Sequence, residues 1–179
     1  MNATDGQAEY AVVPHTMNRV DLFTGVEFEE FIAAFEKAAP AYDRASVAAI
    51  VERDGSWDEV LAAVAVNAPN DLMVYAKIDA SPLLRPAGHA TEAIEYLLGN
   101  HTIAEIMFRH DPKALLYAPL RLLVYADADG RAVFSMDQPS TAFGSLGIAE
   151  VTTVGEGLDR KVSNLLRVIG VEPGGAFGD

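Results

Sequence analysis

Polar and apolar residues alternate through Arg19-Val20-Asp21-Leu22-Phe23, and a period of two predicts a strand there. Thr24 then stands three residues before Glu27, the spacing of a capping box. Phe28, Phe31, Ile32 and Phe35 follow at helical spacing until Pro40 ends the run, so the pattern predicts a helix opening at Thr24. Its phenylalanine stripe is either a face packed on a sheet or an aromatic binding surface. Two more helices are predicted, over Asp43 to Arg53 and over Ser56 to Asn67. The second has its own capping box, Ser56 with Glu59, and is broken by Asn67-Ala68-Pro69-Asn70.

Leu72 to Asp79 reads as a buried strand with Leu72, Val74, Ala76 and Ile78 on one face. A loop follows from Ala80 to Gly88. Between His89 and Gly99 the signals are mixed: residues 90–95 suit a helix, whereas Tyr96-Leu97-Leu98 before Gly99-Asn100 suits a strand and turn. Thr102 to Arg109 predicts a short helix, and Asp111-Pro112 starts another turn. Near the end, Val151, Val154, Leu158, Val162, Leu165 and Ile169 step by three or four and predict a long amphipathic helix. Gly155 and Gly157 inside it each cost about 1 kcal/mol relative to alanine. Close packing on a neighbour would offset that, and so would approach of a ligand to the backbone.

The strongest local signal is a β-hairpin over residues 118–137. Pro119 to Ala126 is rich in Leu, Val and Tyr, Asp127-Ala128-Asp129-Gly130 supplies the turn, and Arg131 to Asp137 returns. A loop of two or four residues places Arg121, Leu123 and Tyr125 with Ala132, Phe134 and Met136 on one face. Leu120, Leu122 and Val124 then share the other with Val133, Ser135 and Asp137. A loop of three would invert that assignment. With even loops both faces are mostly apolar, so the hairpin is expected at the centre of the sheet and covered on both sides. Arg121 would then enter an apolar layer, held by a structural ion pair or awaiting an anionic ligand, while Asp137 would face away from it.

Bulk composition narrows the class. The 179 residues are 50% hydrophobic and 22% charged, which fits one globular domain. With no cysteine, disulfides, thiolate metal sites and cysteine nucleophiles are excluded. The start Met1-Asn2-Ala3-Thr4-Asp5-Gly6 lacks a signal pattern, and no stretch reaches the roughly 18 apolar residues of a membrane helix. A cytoplasmic location with no membrane association is the expectation. A formal charge of −13 and no cluster of Lys and Arg argue against a nucleic-acid partner.

Motif chemistry is sparse. The histidines, His15, His89, His101 and His110, include no His-x-x-x-His pair, and His101 with Glu105 at four-residue spacing is a weak metal signal. Neither a phosphate-binding loop nor a serine-hydrolase elbow is present. No metal and no cofactor is expected. An acid–base site could draw on His89 as a group titrating near neutrality, Asp137 as base, Tyr117 as proton donor and Arg121 as anion holder.

The strings Gly99-Asn100, Asp111-Pro112, Leu116-Tyr117-Ala118-Pro119-Leu120-Arg121 and Asp137-Gln138-Pro139-Ser140 together resemble the bacterial domain of unknown function family 302. The resemblance runs over about residues 72–143 and takes in the last helix. It implies a small α+β fold, an antiparallel sheet with helices mainly on one side, often dimeric, and no established activity. Its family-like polar residues are Asn100, Tyr117, Arg121, Asp137 and Ser140. Two features depart from it: Ile78-Asp79 is followed by Ala80, where family members often carry histidine, and the helical stretch 43–67 is longer than the family pattern implies.

Together these readings predict a single α+β domain over residues 10–170, with a lead-in at 1–9, a helical insertion at 43–67 and a tail at 171–179. The leading functional expectation is a homodimeric binding domain with a pocket beside the hairpin for a small organic or anionic ligand. Asn100, Tyr117, Arg121 and Ser140 are its expected contacts. Two alternatives are a cofactor-independent lyase or isomerase using His89 or Asp137 with Arg121, and a structural or interaction module without a small ligand.

Overall fold

The computed structural model describes residues 8–178, so most of the expected lead-in lies outside the described residues. Five antiparallel strands form one sheet: β1 (Arg19–Glu27), β2 (Met73–Asp79), β3 (Ala93–Gly99), β4 (Leu120–Ala126) and β5 (Arg131–Asp137), in the order β1-β5-β4-β3-β2. The described helices are α1 (Phe28–Ala38), α2 (Arg44–Glu52), α3 (Trp57–Asn67), α4 (Ser81–Leu84), α5 (His101–Phe108), α6 (Pro139–Gly144) and α7 (Ala149–Val168). The fold is α+β, as the residue pattern predicts.

One face of the sheet carries the main core. Ile94, Tyr96, Leu98, Leu120, Leu122, Val124, Phe134 and Met136 pack there against the Phe28, Phe31, Ile32 and Phe35 stripe of α1 and the Val151, Leu158, Val162 and Leu165 stripe of α7. The phenylalanine stripe is thus core: Phe31 and Phe35 stack at 6.1 Å, and Phe35 lies 5.1 Å from Tyr96. Residues 171–178, expected as a loose tail, return to this core. Val171 and Phe177 are buried, with Phe177 edge-on to Phe134 at 6.3 Å.

Three local expectations are corrected. The helix does not open at Thr24, because β1 continues through Glu27 and α1 starts at Phe28 with no side-chain cap. Thr24 Oγ1 instead donates to the Ala132 carbonyl at 2.7 Å, at an irregularity where Gly25 takes φ of 70°. Long-range pairing to β5 has overridden a local capping signal. In β2, Val74 pairs with Leu98 and Ala76 with Leu97, leaving Tyr75 as an extra residue. This bulge breaks the alternation. Leu72 and Val74 join the main core, while Ile78 is half exposed on the other face. Finally, β3 begins at Ala93, earlier than Tyr96.

Met73 belongs to a smaller core, with Ile50 of α2 and Val60, Val64 and Ala68 of α3 and its end; Tyr42 and Tyr75 pack against it. The predicted insertion at 43–67 is therefore a helical hairpin with its own apolar cluster. Its capping box forms as predicted, the Ser56 hydroxyl accepting from Glu59 N and the Glu59 carboxylate from Ser56 N.

Candidate functional site

The hairpin loop decides which side chains reach solvent. The Asp127 carboxylate accepts from the backbone N–H of Asp129 and of Arg131, both at 2.9 Å, and Gly130 takes φ of 77°. Asp127 N in turn donates to the Arg131 carbonyl at 2.9 Å, so the loop holds three residues. Leu122 then pairs with Met136 and Val124 with Phe134, inverting the face assignment of an even loop. The expectation that Arg121 enters an apolar layer is overturned, as is the expectation that Asp137 faces the other way. The Arg121 side chain is 71% exposed, and its guanidinium lies 3.5 Å from the Asp137 carboxylate. Of the two hairpin strands, β5 is buried on both faces, Val133 and Ser135 included, whereas β4 is open on the side of Arg121 and Leu123.

Across this open face the register lines up rows of side chains. One row runs Arg19, Asp137, Arg121, Leu97 and Ala76. The next runs Asp21, Ser135, Leu123, Glu95 and Ile78, and a third begins Phe23, Val133, Tyr125 and Ala93. A shallow groove of about 380 Å³ lies over the first two rows. Most of its charges are matched in place, Glu95 standing without an ion-pair partner among the described residues. Arg19 pairs with Asp21 at 2.9 Å, Arg121 with Asp137, and Ser135 Oγ donates to Asp21. With its carboxylate partner beside it, Arg121 is not a free anion holder.

The other expected site residues scatter. Tyr117 does join Arg121 and Asp137, around a hollow of about 100 Å³ under Met17. Its hydroxyl lies 3.2 Å from both His15 Nε2 and Ser145 Oγ. Ser140 belongs elsewhere: its backbone N–H donates to the buried Asp159 carboxylate at 2.9 Å, which also accepts from Gln138 Nε2. That contact explains the close approach of α6 to α7. A Cβ on Gly155 would sit 3.1 Å from Ser140 Cα and from Phe143 Cβ, so Gly155 serves helix packing. His89 is exposed beside Leu84, Leu123 and Tyr125. Tyr125 stands four residues along β4 from Arg121, roughly 13 Å at strand rise, and His89 and Asp137 are not brought together. Asn100 caps α5, its Oδ1 accepting from Thr102 N at 2.9 Å while its Nδ2 donates to the Asp71 carbonyl at 2.8 Å.

Beside Asn100 lies a cavity that the residue pattern did not reveal. It has a volume of about 150 Å³ and almost wholly apolar walls. They come from Ile103, Ala104 and Met107 of α5, from Ala118, Pro119 and Leu120 entering β4, and from Gly99, Phe143 and Leu158. Two of the family-like strings, Gly99-Asn100 and Ala118-Pro119-Leu120, thus meet on it; the Ala118–Pro119 peptide is cis. Two polar rings complete the wall, Tyr75 and His101. The Tyr75 hydroxyl and His101 Nδ1 are 2.8 Å apart, and Tyr42 packs on both rings at 4.9 and 5.4 Å. His101 Nε2 is buried with no hydrogen-bond partner. Burial holds the His101 imidazole below the ordinary histidine range, hence neutral, and pushes the Tyr75 phenol up to about 12. Sequence reasoning set His101 beside Glu105, but Glu105 pairs with Arg109. The true partner, Tyr75, is 26 residues away on β2 and leaves no local spacing to read.

Comparison with known proteins gives a family and a fold. Residues 49–169 match the family model described as Domain of unknown function DUF302. The chain is similar to the crystal structure of an uncharacterized conserved DUF302 protein from Bacillus stearothermophilus, at a TM-score of 0.57 and 14% identity. The likeness covers 86% of this chain and 97% of that one, and it speaks for the fold alone. No curated protein matches the chain in sequence.

Proposed function

The chain belongs to the DUF302 family, whose name carries no activity, and from that premise we propose that it is a binding domain for a small, mainly apolar organic molecule held in the cavity between α5 and the start of β4. The observation that supports this reading is the combination of size and lining. A pocket of this volume walled mainly by aliphatic and aromatic side chains suits one benzene-sized ring. The pocket lies beside the first strand of the hairpin, but its contacts are apolar, and Arg121 takes no part. Toluene at millimolar concentration should raise the thermal unfolding midpoint of the wild-type protein. Ala104→Leu, which fills the cavity from α5, should remove that rise while leaving the fold intact. Absence of any midpoint change with toluene, benzene or ethylbenzene in the wild type would overturn the reading.

A second reading concerns the open sheet face, which fits a second copy of this chain. Phe23, Ile78 and Leu123 are 72%, 50% and 39% exposed there, among Arg19 and Arg121 and the carboxylates Asp21, Glu95 and Asp137. A two-fold axis can set such mixed charges against their opposites while the apolar side chains meet. Light scattering after gel filtration should give twice the monomer mass, reduced to the monomer by Leu123→Arg. A monomeric wild type at micromolar concentration would remove this reading.

A further inference from the structure

The Tyr75–His101 pair in the cavity wall points to a ligand class; the inference rests on the binding reading above. The Tyr75 hydroxyl lies 2.8 Å from His101 Nδ1, its one side-chain hydrogen-bond partner among the described residues. A phenol with a single acceptor in reach donates to it. Nδ1 is then the bare nitrogen of the ring, and a neutral imidazole carries its proton on Nε2. That N–H is buried and unpartnered, on a ring that lines the cavity. Unpaired buried donors are rare in protein interiors because water has been lost and nothing replaces it.

We propose that the cavity selects an uncharged one-ring compound bearing a hydrogen-bond acceptor, of the aryl ketone or aryl ester kind, whose oxygen takes the proton of His101 Nε2. The ring fills the space between Met107, Pro119 and Phe143, and the acceptor satisfies the orphaned donor. Charge is selected against. No Lys or Arg lines the walls, so a carboxylate would enter an apolar space without a counter-ion. A purely apolar ring would fit but would leave Nε2 unpaired.

The test measures the affinities of acetophenone, ethylbenzene and benzoate for the full chain by titration calorimetry. Acetophenone is expected to bind about tenfold more tightly than ethylbenzene, the scale of one buried donor gaining its acceptor. In His101→Leu, ethylbenzene should still bind and the preference for acetophenone should vanish. A histidine-labelled NMR spectrum of the wild-type protein gives an independent reading that needs no variant. The Nε2 proton should be present in the free protein and should shift with acetophenone but not with ethylbenzene. Equal affinities for the two in the wild type, or a proton found on Nδ1, would overturn the ligand class and leave the binding reading standing. Tightest binding of benzoate would overturn it too. Failure of all three compounds to bind would sink the binding reading itself.

Discussion

Neighbouring residues on β4 live in different worlds: Leu122 is fully buried, while the side chain of Arg121 is 71% exposed. The same five strands present one face to α1 and α7 and leave much of the other to solvent, and the two faces have been built to different rules. On the covered face every central position is apolar and tightly packed. On the open face Arg19 with Asp21 and Arg121 with Asp137 form ion pairs, and Phe23, Ile78 and Leu123 stay partly bare although Val133 is buried. Burial therefore makes the covered face the source of stability, at about 25 cal/mol per Å² of apolar surface removed from water. Exposure leaves the open face free to vary and to meet partners.

The sharpest way to test that contrast is to cut the covered face. Phe134→Ala removes a ring that touches Phe31 and Phe177, and should cost about 3–5 kcal/mol in denaturant unfolding. Leu123→Ala, on the open face of the neighbouring strand, should cost far less under the same conditions, on the order of 1 kcal/mol. Similar losses for the two would contradict a one-sided core.

A second contrast runs along α7. Gly155→Val must displace α6 and should destabilise by about 1–3 kcal/mol. Gly157 meets nothing closer than Arg160 Nη2 at 3.8 Å, and nothing in the structure calls for a glycine there. Gly157→Ala should then stabilise by about 0.5–1 kcal/mol. Thermal melts of the two variants ought to move in opposite directions; a parallel drop would place Gly157 in a contact of its own.

Arg121→Ala comes next, with an expected loss of 0 to about 1 kcal/mol that shrinks further at high salt. Should it cost as much as Phe134→Ala, Arg121 would belong to the core and the hairpin faces would be reversed.

The smallest effect separates the faces by pH. Burial alone would raise the Glu36 carboxyl, but hydrogen bonds from Lys77 and Tyr96 outweigh it and hold it below the ordinary glutamate range. On the open face, hydrogen bonds from Ser135 and then Arg19 lower Asp21. In both cases the unfolded chain takes up the proton first as pH falls. Each contribution is thus complete above the ordinary carboxylate range, and is lost as pH drops through it to the folded value. Lys77→Met should flatten the fall in unfolding midpoint below about pH 5, with Ser135→Ala flattening a different part of it. An unchanged acid slope in both variants would separate these bonds from stability.

What the residues disclosed depended on how far apart the interacting partners stand. Ser56 and Glu59, three residues apart, could be paired at sight, and the stripe of α7 repeats within its own length. Thr24 and Glu27 have the same spacing, yet β5 claims that segment from more than a hundred residues away. The hairpin was visible, but its faces hung on one residue of loop length, because Asp129-Gly130 fits several turns. The bulge at Tyr75 is set by pairing with β3, and the Tyr75–His101 contact exists only because that pairing exists. Asn100 and Tyr117 were found by resemblance to a family. Their positions, one capping α5 beside the cavity and the other by Arg121, required the fold.

The bulge also sets a schedule. Tyr75 lines the cavity with His101, yet it packs on the smaller apolar cluster of α2, α3 and Met73. Small clusters are the parts of a protein that breathe first, well below the free energy of global unfolding. Loosening of that helical hairpin would take away the backing of Tyr75 and free the ring beside His101 while the sheet stays paired. On the proposed binding reading, amide protons of α2 and α3 should exchange early, and a mutation far from any ligand, such as Val64→Ala, should quicken entry and exit without changing what the site prefers.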